Sequence, residues 1–372
     1  MIYFLCHGDP ANYQWDIIPL AEGLEMLGVP FCGSADYWRR SDGTFLIQRR
    51  SGIDPLSADA VVVSTGYLNW WREGSGFECG VLPEWFKKDS PRRARLVALD
   101  VSDGYLSPIT GEASSQFDIV LRSHFNSRLW WPDNVRPWAF GLTNRIISYG
   151  KNYAQSWEKR SGALFAFGAS HGYRHTARDW ADSVVRPLIE QIMHVDSSQE
   201  DLAATPDDAV EYSLWKQCRQ RHSADFFRRL GGAKICATFC GDLVPALPSR
   251  PRYLVGGKKA RLFRDSYKFI SAILGLDLRN VQPDSWRFWE TLGSGTVAIN
   301  FDFEQSGWRF PIQPCANVEY VAVPLRGDRG DMQRLLHDDA ALQEIAEGGM
   351  SWAHEHYSPK MVATRFLENC AK

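Results

Sequence analysis

The sequence has no excess of charge of either sign. Its 372 residues carry 42 Lys and Arg against 44 Asp and Glu, a formal net charge of -2. Proteins built to hold phosphate backbones usually leave a cationic footprint, so the balance argues against nucleic acid as the default partner. A local basic groove from Arg250 to Arg264 keeps that option open. No apolar run approaches the roughly 18 residues that a membrane helix needs. The start, MIYFLCHGDP, has neither a cationic lead nor a small-residue cleavage site, and reads as a first buried strand rather than a secretion signal. No CxxC spacing links any of Cys6, Cys32, Cys79, Cys218, Cys236, Cys240, Cys315 and Cys370. Buried reduced thiols in a cytoplasmic protein fit better than a disulfide frame or zinc site. There is no HExxH, and Asp100-Val-Ser-Asp103 has the wrong spacing for a DxD triplet. Asp302 lacks a second Asp beside it, so no metal and no other cofactor is expected. Tandem repeats and low-complexity tracts are also missing. Together these absences predict a cytoplasmic protein without a membrane span, with peripheral contact at the inner membrane surface left open.

What the chain has in abundance is aromatic side chains: 15 Trp, 13 Tyr and 20 Phe. Cores take aromatics first. Trp70, Trp71, Trp130, Trp131, Trp286 and Trp308, however, fall in polar, loop-like contexts. An exposed indole suits the apolar C–H face of a sugar ring; packing in a core or between domains is the alternative use of each.

At about 100–200 residues per domain, the length predicts two domains. The first half alternates strands with amphipathic helices. Strands are expected at Ile2–Cys6, Val29–Cys32, Asp59–Ser64, Leu96–Leu99 and Asp118–Leu121. Helices are expected at Ile17–Leu27, stopped by Gly28, and at Pro83–Lys88. The continuous β-branched run in DAVVVS marks a strand buried on both faces. A polar linker is expected over 145–160. The pattern then restarts with a strand at Ala163–Phe167, a helix at Thr176–Ile192 and a strand at Met193–Val195. A helix at Ser223–Leu230 and a strand at Lys234–Ala237 follow, then a loop over 241–262. A helix beginning at Arg287, strands at Thr296–Asn300 and Val318–Val323, and helices at Asp331–Glu347 and Ser358–Asn369 complete the reading. Such alternation gives an α/β fold with parallel sheets, and two successive units imply a cleft between them.

The stretch 266–311 is the most informative. A strand-like SYKFISAI leads to Asp284-Ser285, a helix with Arg287 and Glu290, a Gly-Ser-Gly turn, the strand TVAIN, and an aromatic loop closing on Phe310-Pro311. This order resembles the donor-binding segment of nucleotide-sugar glycosyltransferases of the GT-B fold, exostosin-type members above all. The matching positions are Lys268, Phe269, Ser285, Arg287, Glu290, Gly293 and Gly295. The C-terminal WAHEHYSPKMVATRFLENCAK is similar to that fold's final helix. The resemblance covers about the last 110 residues, and the first 160 only as an α/β pattern. It implies two Rossmann-like domains facing a cleft: an acceptor domain over 1–155, a donor domain over 156–350, and a helix over 351–372 crossing back to the first.

Under that resemblance the chain moves a sugar from a nucleotide-diphosphate donor to a hydroxyl of a glycan or other acceptor. Glu290 would accept the ribose hydroxyls. Arg287 could grip the diphosphate with its planar fork. The strand-to-helix turn FAFGASHGYRHTARDW adds Gly168, Ser170, Arg174 and Arg178, where backbone N–H groups and cationic forks favour phosphate. Arg174, Lys268 and Arg287 would stabilise the departing diphosphate. The acceptor must lose a proton as it attacks, so a base is expected in the first loop, His7 or Asp9, with Asp100, Asp103 and His124 as rivals. Many retaining members have a glutamate where Gln282 stands, which tips the reading slightly towards inversion. Other readings are a nucleotide-sugar epimerase or hydrolase of the same fold, a non-catalytic carbohydrate-binding protein, and a phage-type DNA-base glucosyltransferase.

Overall fold

Runs of β-branched and other apolar side chains, buried on both faces, form the centre of each half of the chain. The computed structural model describes residues 1–6, 13–65, 67, 94–102, 111–166, 175–198, 205–241, 243–245 and 278–371. Here β1 (Ile2–Leu5) leads to α1 (Ile17–Met26) and β2 (Phe31–Gly33), then to a hairpin of β3 (Tyr37–Arg39) and β4 (Phe45–Ile47). β5 (Ala60–Ser64), β6 (Arg95–Asp100), β7 (Ile119–Arg122) and β8 (Val135–Pro137) follow. Six strands form a parallel sheet in the order β2-β1-β5-β6-β7-β8, with Phe4 beside Gly33 on one side and Val62 on the other. Alternate side chains divide between its faces. Phe4, Val62, Leu99 and Leu121 meet Ile17, Leu20 and Leu24 of α1, whereas Leu5, Val61, Val63 and Ala98 fill the opposite core with Phe117.

The second half repeats the plan. It contains α2 (Asn144–Tyr153), β9 (Ala163–Leu164), α3 (His175–Trp180), α4 (Arg186–Glu190) and β10 (Val195–Asp196). It continues through α5 (Ala209–Gln217), α6 (Ala224–Gly232), β11 (Ile235–Ala237), the antiparallel pair β12 (Leu243–Pro245) and β13 (Leu278–Asn280), and α7 (Trp286–Gly293). β14 (Val297–Phe301), β15 (Val321–Val323), α8 (Gly330–His337), α9 (Asp339–Tyr357) and α10 (Pro359–Ala371) complete it. The second parallel sheet runs β10-β9-β11-β14-β15. In both sheets the first strand has the second on one side and the third on the other. That reversal opens a crevice at the carboxyl ends of the strands, where such sheets bind ligands.

Several expectations change. The polar stretch 145–160 begins as a helix: the Thr143 side chain accepts from Ile146 N, the Glu22 carboxyl accepts from Asn144 N at 2.8 Å, and Ile146 is buried. Polarity there marks the exposed face of a helix, not a linker. The helix expected over Thr176–Ile192 widens at Ala181–Val185 before Pro187, which has no N–H to donate back along the helix. The C-terminal helices break at Asp338, whose side chain caps α9 by accepting from Ala341 N, and again at Ser358. α10 lies against α1 on the first sheet, with Val362, Ala363 and Phe366 in the same core as Ile17 and Leu20. The hairpin and β8 had no sequence signal strong enough to mark them. The helix expected at 83–88 and the strand-like 266–273 lie outside the described residues.

The halves also meet through loops. Ser127 N donates to Gly307 O at 2.8 Å, Arg309 N to Phe125 O at 2.9 Å, and Asn126 Nδ2 to Ser306 O at 3.0 Å. α2 packs on α7 through glycine: a Cβ at Gly150 would stand 2.3 Å from Gly293 O. Gly150→Ala is therefore expected to cost about 1–3 kcal/mol of stability despite alanine's better helix propensity. Urea denaturation reads it; an unchanged midpoint would mean that the helices separate freely there.

Candidate active site

The carboxyl ends of both sheets converge on a buried polar and aromatic cluster. Tyr13, Gln14, Trp15 and Asp16 lead into α1. Asp16 is 3% exposed, and neither carboxylate oxygen reaches a donor at full hydrogen-bond geometry. Burial pushes its pKa up to about 7, even though its own amide, the Ile17 amide and the Ser64 hydroxyl are near enough to pull the other way. Beside it, at the ends of β6 and β7, Asp100 Oδ1 and Arg122 Nη1 form an ion pair of 2.7 Å, with both side chains almost fully buried. Asp100, a candidate base by sequence, is thus held by a guanidinium. Removing either partner would take an ion pair from a charge that is almost fully buried.

His124 follows β7. Its Nδ1 is 3.0 Å from Ser102 O and its Nε2 is 3.4 Å from Asp284 Oδ1, on the loop that enters α7. Trp289 Nε1 donates to Asp284 Oδ2 at 2.6 Å. A residue just after β7 of the first sheet and Trp289 of α7 therefore share the buried Asp284 carboxylate.

α7 carries the expected donor residues. Ser285 is its N-cap, without a side-chain capping bond. The Arg287 guanidinium lies 5.7 Å over the Phe226 ring. Glu290 is 5% exposed, and its Oε1 is 2.7 Å from His222 Nδ1. Among the described residues no donor reaches its Oε2. His222 Nε2 in turn lies 2.9 Å from the Tyr13 hydroxyl. This continuous chain, Tyr13–His222–Glu290, joins residues 209 and 68 positions apart. It also puts the Glu290 carboxylate where the first half faces the second.

Aromatic rings close the space around it. Trp286 stacks on Tyr13 at 5.7 Å and on Phe140 at 5.4 Å, and meets Trp15 edge-on at 4.3 Å. Trp286 and the fully buried Trp308 therefore pack between elements, while Trp130 is 82% exposed. Trp131 stacks on Phe125 at 5.5 Å.

The other expected residues divide as follows. Arg178 is 40% exposed on α3 and pairs with Asp182 at 3.4 Å, as i,i+4 partners on a solvated helix face do. Gln282 is buried, donating through Nε2 to Asp284 O at 3.0 Å. His7, Asp9, Asp103, Gly168, Ser170, Arg174 and Lys268 lie outside the described residues, as do Phe269, Trp70, Trp71 and Cys79. The described cysteines are free thiols, and burial raises Cys236 to about 11 and Cys218 to about 12. No group of three metal-ligating side chains and no helix long and apolar enough to cross a membrane occurs among the described residues.

Sequence reasoning missed His222, Tyr13, Asp16 and Asp284. His222 belongs to no motif; the only local signal is the adjacent Ser223, which caps α6 by accepting from Phe226 N. Its partners come from remote segments, and the fold alone brings them together.

No protein-family pattern matches this chain, and no curated protein matches it in sequence. Solved structures do. An alpha-glucosyltransferase in complex with UDP-glucose and DNA containing an abasic site matches with a TM-score of 0.53 and 8% identity, over 100% of this chain and 99% of that one. An alpha-glucosyltransferase in complex with UDP and a 13-mer DNA containing a HMU base matches with a TM-score of 0.51 and 9% identity, over the same shares. Anabaena HepE in complex with UDP and glucose gives 0.46 and 10%, again over 100% and 99%. At this identity the first two likenesses speak to architecture: the chain has the two-sheet α/β fold of GT-B glycosyltransferases.

Proposed function

We propose that this chain is a glycosyltransferase that moves a sugar from a nucleotide-diphosphate donor to an acceptor hydroxyl. The observation that carries the reading is Glu290. A carboxylate on the second half of the fold is held at one oxygen by His222, meets no donor at the other among the described residues, and lies where the first half faces the second. A carboxylate has about four lone-pair sites, so after accepting from His222 it can still accept two ribose hydroxyls. Arg287 on the same helix, with Arg174 and Lys268, would take the diphosphate. His7 or Asp9 would supply the base that removes the acceptor proton, and base-assisted attack would invert the anomeric centre. The division we favour is an acceptor domain over 1–155, a donor domain of exostosin type over 156–350, and the crossing helix after it. The free thiols support a cytoplasmic setting.

The donor is tested by thermal shift against UDP, GDP, TDP, CMP and ADP, alone and as sugar conjugates. Ligand that binds the native state raises the melting temperature. UDP is expected to give the largest shift, because the matched alpha-glucosyltransferases were solved with UDP or UDP-glucose. Glu290→Ala is expected to weaken it about tenfold or more, as loss of a charge-assisted hydrogen bond does. No shift with any nucleotide would sink the donor site and leave carbohydrate binding. Consumption of donor without any acceptor would move the reading to an epimerase or hydrolase.

A DNA acceptor is the second reading. The net charge does not argue it away, since the matched alpha-glucosyltransferases were solved on DNA. The segment 250–268 carries Arg250, Arg252, Lys258, Lys259, Arg261, Arg264 and Lys268. DNA affinity that falls steeply with salt would favour this reading over a glycan acceptor.

A further inference from the structure

Glu290 is held from outside its own helix, by a histidine whose placement strains the backbone. α5 ends in a Schellman-type turn: Gln220 N donates to Trp215 O at 3.0 Å and Arg219 N to Lys216 O at 2.9 Å. The turn normally uses glycine. Here Arg219 has φ 51°, Gln220 φ 62°, and His222 itself φ 54°. Left-handed backbone at non-glycine residues is unfavourable and persists only where the surroundings enforce it. The enforcing contacts are present. Arg145 of α2 donates to His222 O through Nε at 3.3 Å and Nη2 at 3.1 Å, and Arg145 is itself clamped by Glu211. The imidazole is then pinned against Trp286, ring to ring at 5.0 Å.

The hydrogen-bond roles follow from chemistry. An ionised carboxylate only accepts, so His222 Nδ1 carries the proton towards Glu290. In the neutral ring, Nε2 then accepts, and the Tyr13 hydroxyl must donate. Burial raises the Tyr13 pKa well above its ordinary value, which keeps that hydroxyl protonated and able to do so. The Nδ1-protonated tautomer satisfies the relay in one direction: Tyr13 O–H to His222, and His222 N–H to Glu290. Tyr13 lies just before α1, in the first half of the chain, and Glu290 heads the proposed donor site.

We propose that His222 is the positioning residue of the donor site: it fixes the Glu290 carboxylate for the ribose hydroxyls and couples that carboxylate to the acceptor-side loop through Tyr13. The inference rests on the reading of Glu290 given above. His222 acts only through Glu290; it touches neither the sugar nor the diphosphate. Its loss is felt as loss of ribose recognition, and a residue that merely filled space would not have this signature.

The test is calorimetric titration of the full chain with UDP and with 2′,3′-dideoxy-UDP. The readout is the ratio of the two dissociation constants. The wild type is expected to prefer UDP by about tenfold or more, from hydrogen bonds to a charged group. Glu290→Gln and His222→Phe should each bring the ratio down towards one, and Tyr13→Phe should lower it partway. His222→Asn, whose amide can stand in for the Nδ1 proton, should keep most of the preference. His222→Gln, which reaches towards Tyr13 instead, should lose it. That pair decides the matter if the phenylalanine variant fails to fold. A His222→Phe or His222→Gln protein that keeps the wild-type ratio, or variants that weaken both ligands equally, would overturn the positioning role. Glu290 would stand if its own variant still lost the preference. A wild type that does not distinguish the two ligands, or does not bind UDP, would overturn the Glu290 reading and this inference with it.

Discussion

The protein is expected to lose stability as pH rises from 5.5 to 8, opposite to the usual behaviour of carboxylate-rich proteins in that range. Two carboxyls cause this. Asp16 is raised to about 7 and Glu22 to about 8, in both cases mainly because burial disfavours the charged form. In the unfolded chain both titrate near 4. Between the two values the native state binds the proton and the unfolded state does not. The stabilisation is therefore fully present below about pH 4 and lost as pH rises to the native pKa. At 1.36 kcal/mol per unit, the interval from pH 5.5 costs about 2 kcal/mol through Asp16 and about 3 kcal/mol through Glu22. Urea midpoints at the two pH values measure the loss. Asp16→Asn and Glu22→Gln should raise stability at pH 8 and flatten the dependence. Glu22→Gln keeps an oxygen for the Asn144 amide, which otherwise accounts for one of the unpaired N–H groups at the start of α2. If both variants retain the wild-type slope, these carboxyls are hydrated and ionised in the native protein.

Gly23→Val is expected to be the most damaging single change in the first half. α1 and α10 approach so closely at Gly23 that a Cβ would lie 1.9 Å from Pro359 O and 2.7 Å from Ala363 Cβ. The obstacle is backbone, which cannot rotate aside as a flexible side chain can. Either α10 lifts, or α1 shifts against a core holding Ile17, Leu20 and Phe366. A cost of about 3 kcal/mol or more follows, the upper end for overpacking. Limited proteolysis should then cut between α9 and α10, near Ser358, in the variant before the wild type. Equal cutting and an unchanged melting temperature would show that the two helices are not locked together. Because α10 follows the second half in sequence but packs on the first, the same experiment reports on how the halves are held.

What was legible in the sequence was periodicity and order. The alternation of AVVVS, RLVALD and IVLR with amphipathic stretches marked a parallel sheet, because strands buried on both faces need apolar side chains on both sides. Restarting that pattern after residue 160 marked a second sheet. The order Ser285, Arg287, Glu290 pointed to the helix that carries a candidate donor carboxylate. Local polarity misled at 145–160, because a helix lying on a surface shows the sequence a polar face, and the capping by Thr143 and Glu22 is not visible without the fold. At Trp286 and Trp308 the sequence allowed either sugar contact or packing, and the structure shows packing, because their polar neighbours in the chain are not their neighbours in space.

Only the tertiary structure decided which groups face Glu290. His222, Tyr13 and Arg145 come from an inter-helix turn, the first loop and a helix read as a linker. None carries a motif, since hydrogen bonds across 68 and 209 residues leave no periodic trace in a chain. It also decided the state of Asp16 and the pairing of Asp100, because a carboxyl's charge depends on burial and on the nearest guanidinium, and sequence order encodes neither. Composition and period determined the layers of this protein. The close packing of remote segments determined its chemistry.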